Sequence, residues 1–251
     1  MRRVFFILMM SVVPFALRAQ SADELWRQGN EAYANGDFRK AVELYDAVIK
    51  FGGVNERVYY NLGNAHFKEG NIAQSILFYK RALRLSPNDD DIRFNLAVAG
   101  GYVRDRVEVM PEFFLLTFIR SLRIALSSNG WALASLALFF TGLGLLLLFT
   151  HMEALSIRKP GFYGAMICAA LFSVSLCFSL VQRKDIVNSN EAVIISASVV
   201  VKSSPDNTGK DLFILHEGTS VKVVNQIGDW REIMISNGNK GWVDIRTIEI
   251  V

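Results

Sequence analysis

The chain has 251 residues, of which 51% are hydrophobic and 20% charged, with a mean hydropathy of +0.27; this excludes both a single ordinary soluble globule and a mostly disordered chain. Its 27 basic and 24 acidic residues leave a net charge of +3 without a continuous basic stripe, which excludes a dedicated nucleic-acid binder. The apolar surplus is concentrated in 4–17, 113–150 and 161–181, so the composition predicts a multi-domain membrane protein.

Met1-Arg2-Arg3 is a short cationic start, followed by the mostly apolar Val4 to Leu17 and by Ala19, a small residue suited to cleavage. This is the grammar of a signal peptide over 1–19. As a helix, the apolar stretch reaches only about 21 Å against a hydrocarbon core of roughly 30 Å, and Pro14 interrupts it. Leu17 and Arg18 depart from the small-residue cleavage rule, so an uncleaved anchor is the competing reading. Either way, the residues after Ala19 are carried across the membrane.

At an offset of 34, the segment from Ala22 falls on the segment from Glu56. Leu25 meets Tyr59, Trp26 meets Tyr60, Gly29 meets Gly63, Asn30 meets Asn64, Tyr33 meets Phe67, Gly36 meets Gly70, Ala41 meets Ser75 and Tyr45 meets Tyr79. Ala82 and Pro87 complete the second unit. This resembles the tetratricopeptide repeat, an all-α solenoid of helical hairpins. Gly29 and Gly63 suit close helix approach, and Gly36 and Gly70 suit the turn between helices. Phe94-Asn95-Leu96-Ala97 echoes Tyr60-Asn61-Leu62-Gly63, so residues 22–108 read as two repeats plus a capping helix over 90–103. Two repeats are marginal alone, which predicts support from the membrane-proximal segment or from a partner.

In such a solenoid the concave face is lined by the first helix of each hairpin. The candidate peptide-binding groove is therefore Trp26, Asn30, Tyr33, Tyr60, Asn64, Phe67, Lys68 and Phe94. Packing between repeats competes evenly with binding for Trp26, Tyr60 and Phe94. Binding is favoured for Asn30 and Asn64, because a buried amide without partners is costly. Trp26 and Tyr60 stand where carboxylate-clamping repeats carry lysines, which argues against that ligand class.

Glu112 to Ser127 places Thr117, Arg120, Ser121 and Arg123 on one half of a helical wheel and Phe114, Leu115, Phe118, Ile119, Leu122 and Leu126 on the other. It reads as an interfacial amphipathic helix over 112–127, with burial against protein as the competitor. Ser128-Asn129-Gly130 is expected to break the helix. Residues 131–150 and 161–181 are two uncharged runs of spanning length joined by ten residues, a transmembrane helical hairpin. Ala165, Ala169, Ser173 and Cys177 recur every four residues as a candidate helix-packing seam. Cys168 and Cys177 lie roughly 13 Å apart along a helix and on opposite faces, too far to pair with each other. Arg158 and Lys159 in the connection compete with Arg120, Arg123, Arg183 and Lys184 on the flanks in setting orientation. The export signal decides it in favour of a periplasmic repeat domain, and two spans return the C-terminus to the same side.

From residue 190 to 251 the pattern changes to short period-two strands, expected at 193–196, 198–202, 220–225, 231–235, 240–243 and 247–250, in a small closed or nearly closed barrel. Glu217-Gly218-Thr219-Ser220-Val221-Lys222-Val223, Gly228-Asp229-Trp230 and Gly241-Trp242-Val243 resemble a bacterial SH3-like domain. The resemblance implies Trp230 and Trp242 as a candidate ligand face, with core and rim packing as the plainer role. His66, His151 and His216 fall in three different regions, and no hydrolase, phosphate-loop, dinucleotide or metal motif is present. No catalytic residue, metal or cofactor is expected. Asp89-Asp90-Asp91 reads as a helix start.

The full arrangement, with Ser127-Ser128-Asn129-Gly130-Trp131-Ala132 leading into the hairpin, resembles the BatE-like proteins of the Bat aerotolerance operons. The resemblance implies a non-enzymatic inner-membrane scaffold acting with von Willebrand-type Bat proteins and a MoxR-type ATPase in stress tolerance. The alternative is a cell-wall sensor that binds peptidoglycan through the SH3-like domain.

Overall fold

Asp37, Asn55 and Asp89 each stand at the start of a helix and accept from N–H groups of its first turn: Lys40 N at 3.2 Å, Val58 N at 2.9 Å, and Asp91 N and Ile92 N at 3.0 and 3.1 Å. A computed structural model describes residues 22–106 and 113–251. The expected signal over 1–19 and the first residue of the expected interfacial segment, Glu112, lie outside the described residues. The chain divides into two units, one made of the residues to Met110 together with Asn190–Val251, the other of Pro111–Ser189.

In the first unit, α1 (residues 22–34), α2 (Phe38–Lys50), α3 (Glu56–Lys68), α4 (Ile72–Leu85) and α5 (Asp90–Gly100) form two helical hairpins and a fifth helix. Each hairpin turns through a glycine at φ +81°, Gly36 and Gly70, a conformation that an L side chain disfavours. The hairpins close tightly: a Cβ on Gly29 would lie 2.6 Å from the Tyr45 ring, and one on Gly63 would lie 2.6 Å from the Tyr79 ring. Ala41, Tyr45, Val48, Val58, Leu62 and Ala65 form the core of this part.

The C-terminal strands are β1 (Glu191–Ile194), β2 (Ser198–Lys202), β3 (Asp211–His216), β4 (Ser220–Ile227), β5 (Trp230–Met234), β6 (Lys240–Asp244) and β7 (Ile248–Ile250). They form one antiparallel sheet in the order β3-β2-β6-β5-β4-β1-β7. Of the closed or nearly closed barrel expected from the sequence, full closure is corrected here, since β3 and β7 are edges and the sheet does not close. Strand β3 was not among the expected strands because Leu212-Phe213-Ile214-Leu215 is an unbroken apolar run, which lacks period-two alternation. Ala192, Ile194, Val199, Val201, Leu215, Val221, Ile233 and Val243 build the sheet core.

Strand β1 is buried on both faces. Ala192 and Ile194 face the sheet core, whereas Val193 points the other way and packs with Val251 against Ile76, Leu77, Tyr79 and Ala82 of α4 and Ile92 and Ala99 of α5. Around this apolar contact, Lys80 pairs with Glu191 at 3.0 Å and Arg81 with Glu249 at 2.9 Å. Arg81 also donates to the Ile250 carbonyl at 2.7 Å, and Arg84 donates to the Val251 carbonyl. After α5, the Asp105 carboxylate accepts from His216 N and Thr219 Oγ1, both at 2.6 Å, and lies 2.7 Å from His216 Nδ1. The marginal two-repeat array is therefore supported by the sheet of its own chain, a third source of support that the sequence did not point to.

The second unit contains α6 (Phe114–Ile124), α7 (Ser128–His151) and α8 (Leu155–Val187), and α7 and α8 are both long and apolar enough to cross a membrane. Ser128-Asn129-Gly130 does not break the helix but forms the first turn of α7, with Ser127 Oγ accepting from Gly130 N at 3.1 Å. The ten-residue connection is also corrected: only residues 152–154 join the helices, and Pro160 lies within α8. The line on α8 that packs against α7 runs through Gly161, Gly164, Cys168, Ser175 and Ser179. A Cβ on Gly161 would lie 3.1 Å from Leu145 O, one on Gly164 2.9 Å from Leu145 Cδ1, and one on Gly142 3.1 Å from the Cys168 Cβ. Of the expected seam, Ala169, Ser173 and Cys177 are exposed and Ala165 is half-buried. A row of every fourth residue drifts about 40° per step around a helix, whereas alternating steps of three and four stay on the contact line. At one end of the hairpin, Ser128 and Ser179 exchange hydrogen bonds with each other's carbonyls at 3.0 and 2.9 Å, and Ser175 donates to Trp131 O at 2.9 Å.

Val193 is fully buried between helices and sheet. Val193→Ala is expected to lower the unfolding free energy of the full chain by about 2 kcal/mol. The loss should appear at the same denaturant concentration in the helical and strand signals of circular dichroism.

Candidate protein-interaction surface

Asn30 and Asn64 stand on the first helices of the two hairpins, and the structure places their amide oxygens in one repeated arrangement. Tyr45 Oη donates to Asn30 Oδ1 at 2.8 Å, and Tyr79 Oη donates to Asn64 Oδ1 at 2.7 Å. From the helix two further along the chain, Asn61 Nδ2 on α3 donates to Asn30 Oδ1 at 3.0 Å, and Asn95 Nδ2 on α5 donates to Asn64 Oδ1 at 3.2 Å. Asn95 Nδ2 also donates to Tyr60 Oη at 2.7 Å. The result is an amide–phenol ladder that ties α1 to α3 and α3 to α5. Burial pushes the Tyr45 and Tyr79 phenols up to about 12, so both remain neutral donors at physiological pH.

The other groove candidates divide by exposure. Trp26 packs its ring 5.4 Å from Tyr45, Tyr33 lies 5.3 Å from Phe38, and Tyr60 lies 6.0 Å from Tyr79; all three are half-buried. Phe67 meets Tyr102 edge-on at 5.5 Å, and Lys68 is exposed. Phe94 is 68% exposed and Tyr102 67% exposed, with Val98 between them at 38%. Their spacing of four places all three on one face of α5 and its C-terminal extension. Tyr102 and Val98 were not among the sequence candidates, because the third register lacks a complete repeat to align with. Tyr45, Tyr79, Asn61 and Asn95 were visible in the offset of 34, but only as matched residues and not as partners.

His66 lies on α3 against the Phe78 ring, 5.4 Å away and nearly parallel, with Glu69 at 3.9 Å from its Nδ1. Burial lowers its pKa to about 4, opposed by the nearby Glu249 carboxylate. Phe78 also receives the Arg81 guanidinium 5.2 Å above its ring, so this aromatic is enclosed by groups from α3 and α4. On the sheet, Trp230 lies opposite Asp244 and Trp242 opposite Glu232. Both tryptophans are half-buried on the face away from the sheet core, where neither belongs to the core cluster. Among the described residues no group of three or more His, Cys, Asp or Glu side chains could hold a metal ion.

Residues 27–90 match the tetratricopeptide repeat family. Over 98 residues the chain is 26% identical to the photosystem I assembly protein Ycf3 of Rippkaea orientalis (strain PCC 8801 / RF-1). The alignment covers 38% of this chain and 57% of that protein, so the chain spans little more than half the length of that relative. Among solved structures, the Arabidopsis OM64 TPR domain aligns at 14% identity with a TM-score of 0.32, covering 66% of this chain and 98% of that one. The helical hairpins are thus tetratricopeptide repeats, a scaffold class whose stacked helices present a surface to other proteins.

Asn64→Ala removes the acceptor of two donors, Tyr79 Oη and Asn95 Nδ2. It is expected to lower stability by about 2 kcal/mol in denaturant unfolding. For His66, the unfolded chain takes up a proton near the ordinary pKa of 6.5, whereas the folded chain does not until about 4. Stability therefore falls as pH drops through that window and levels off below it, a loss of about 3 kcal/mol. His66→Gln should flatten this slope when unfolding is measured across the same pH range.

Proposed function

We propose that this chain is a non-enzymatic scaffold of the bacterial inner membrane. In this reading an export signal over 1–19 directs it, the α7–α8 hairpin anchors it, and the repeats and the C-terminal SH3-like domain both face the periplasm. The repeats hold envelope proteins, with von Willebrand-type Bat proteins and a MoxR-type ATPase complex as the assembly implied by the family resemblance. The anchoring is supported by the large apolar side chains that α7 and α8 turn outward, Leu133 at 69% exposure and Phe140 at 60% among them. The assembly role of the matched photosystem protein is of the same general kind.

The binding reading is carried by one observation. Phe94, Val98 and Tyr102 form an exposed apolar row at the end of the groove, while the amide oxygens of Asn30 and Asn64 are engaged inside the array. A partner thus gains affinity by covering apolar rings rather than by gripping those amides. The second reading, a cell-wall sensor, is favoured by the position of Trp230 and Trp242 on the outer face of the sheet, where a sugar or peptide could stack.

Crosslinking in native membranes distinguishes the two. Phe94→Ala combined with Tyr102→Ala is expected to reduce partner capture about tenfold or more with the helical circular-dichroism signal retained at the assay temperature. Unaltered capture would overturn the groove reading. Retention on purified peptidoglycan that depends on Trp230 or Trp242 would transfer the assignment to the sensor.

A further inference from the structure

Helix α6 has no buried residue along its length. Phe114, Leu115, Phe118, Ile119 and Leu122 lie within an arc of about 140° at 100° per residue. They are 73, 46, 57, 43 and 44% exposed respectively. Thr117, Arg120, Ser121 and Arg123 occupy the remaining arc, interrupted by Leu116 and Ile124. An apolar stripe of this size in water is unfavourable, so it is expected to be covered.

The attachment of α6 bears on what would cover it. Its final carbonyls are held by the ends of the two long helices: Trp131 Nε1 donates to Arg123 O at 2.7 Å, and Gln182 Nε2 donates to Arg123 O and to Leu126 O. Arg123 also pairs with Asp185 at 2.6 Å. Trp131 is in the first turn of α7, and Gln182 and Asp185 are in the last two turns of α8. These are the points where apolar spans end and polar flanks begin. With α7 and α8 crossing a bilayer, the clamp would hold α6 at the boundary between headgroups and acyl chains, the depth where a tryptophan and an amphipathic helix are most stable. The same corner carries Arg120, Arg123, Arg183 and Lys184 against Asp185, an excess of positive charge.

We propose that α6 docks into the headgroup boundary of a bilayer containing anionic phospholipid, with its apolar stripe in the acyl region and Arg183 and Lys184 on the lipid phosphates. This rests on the reading of α7 and α8 as a membrane hairpin. The stripe is too short to span and too apolar for water, and the clamp denies it a free choice of depth. A protein partner covering the same stripe is the competing outcome.

The test uses the full chain with Cys168→Ser and Cys177→Ser, reconstituted in vesicles of phosphatidylcholine alone or mixed with phosphatidylglycerol. Single spin labels at Phe118→Cys, Thr117→Cys and Leu136→Cys report access to oxygen and to a water-soluble nickel relaxant. The oxygen preference at 118 is expected to exceed that at 117 severalfold, at a depth of about 5–10 Å. The contrast should increase with phosphatidylglycerol and lose that increase in Arg183→Gln with Lys184→Gln. If the label at 136 is deep in lipid while that at 118 is reached by nickel as readily as that at 117, or is shielded from both relaxants, the α6 proposal is overturned and the hairpin stands. Equal contrast in the two vesicle types overturns the requirement for anionic lipid. If the label at 136 is itself outside lipid, the hairpin reading fails first and the docking of α6 fails with it.

Discussion

A helical array two repeats long leaves the flank of its last hairpin exposed, and here that flank is closed by β1 and β7. Val193 and Val251 complete an apolar cluster with Ile76, Leu77, Ala82, Ile92 and Ala99 that neither helices nor sheet could bury alone. Each fully buried valine contributes about 2 kcal/mol. The surrounding ion pairs, Lys80 with Glu191 and Arg81 with Glu249, are partly exposed and contribute mainly registration. Because β1 is a core strand on both of its faces, the sheet and the repeats fold as one body. The latch at Asp105 then fixes the segment that leaves α5, since one carboxylate accepts from both His216 and Thr219.

The proposed interaction surface depends on that closure. Helix α5 is held from behind by the β1 contact and from the side by Asn95, and it presents Phe94, Val98 and Tyr102 outward. The amide–phenol ladder provides rigidity at the cost of ligand-binding groups. Asn30 and Asn64 satisfy buried phenols whose partners would otherwise be lost from water, so their oxygens are structural. The proposed recognition row is mostly exposed, with Tyr102 also meeting Phe67 edge-on.

The two long helices use another packing logic. Gly161 and Gly164 bring α8 against Leu145, and at the opposite end Ser128, Ser175 and Ser179 exchange hydrogen bonds with backbone carbonyls. Between these glycine and serine contacts the two helices also meet through Trp131 with Phe178, Phe139 with Phe172 and Phe149 with Phe162. Many of its other large side chains, Leu133 and Phe140 among them, are exposed.

The repeat array was readable from residues alone because each hairpin is a local structure, and its glycines and aromatics recur at fixed spacing. Gly29 and Gly63 lie against Tyr45 and Tyr79 as that spacing required. The helix start at Asp89 and the apolar character of α7 and α8 are equally local properties. Strand β3, the open sheet and the packing line of α8 were not readable, because edge pairing and helix rotation depend on what each element meets. Nor was the position of the sheet. Val193 looks like any strand valine in the sequence, and only the tertiary structure, by placing residues 193 and 76 in one apolar cluster, decided that the last sixty residues cap the first hundred. Sequence determines which surfaces are apolar; which of them cover one another is settled by long-range packing, and no local pattern records it.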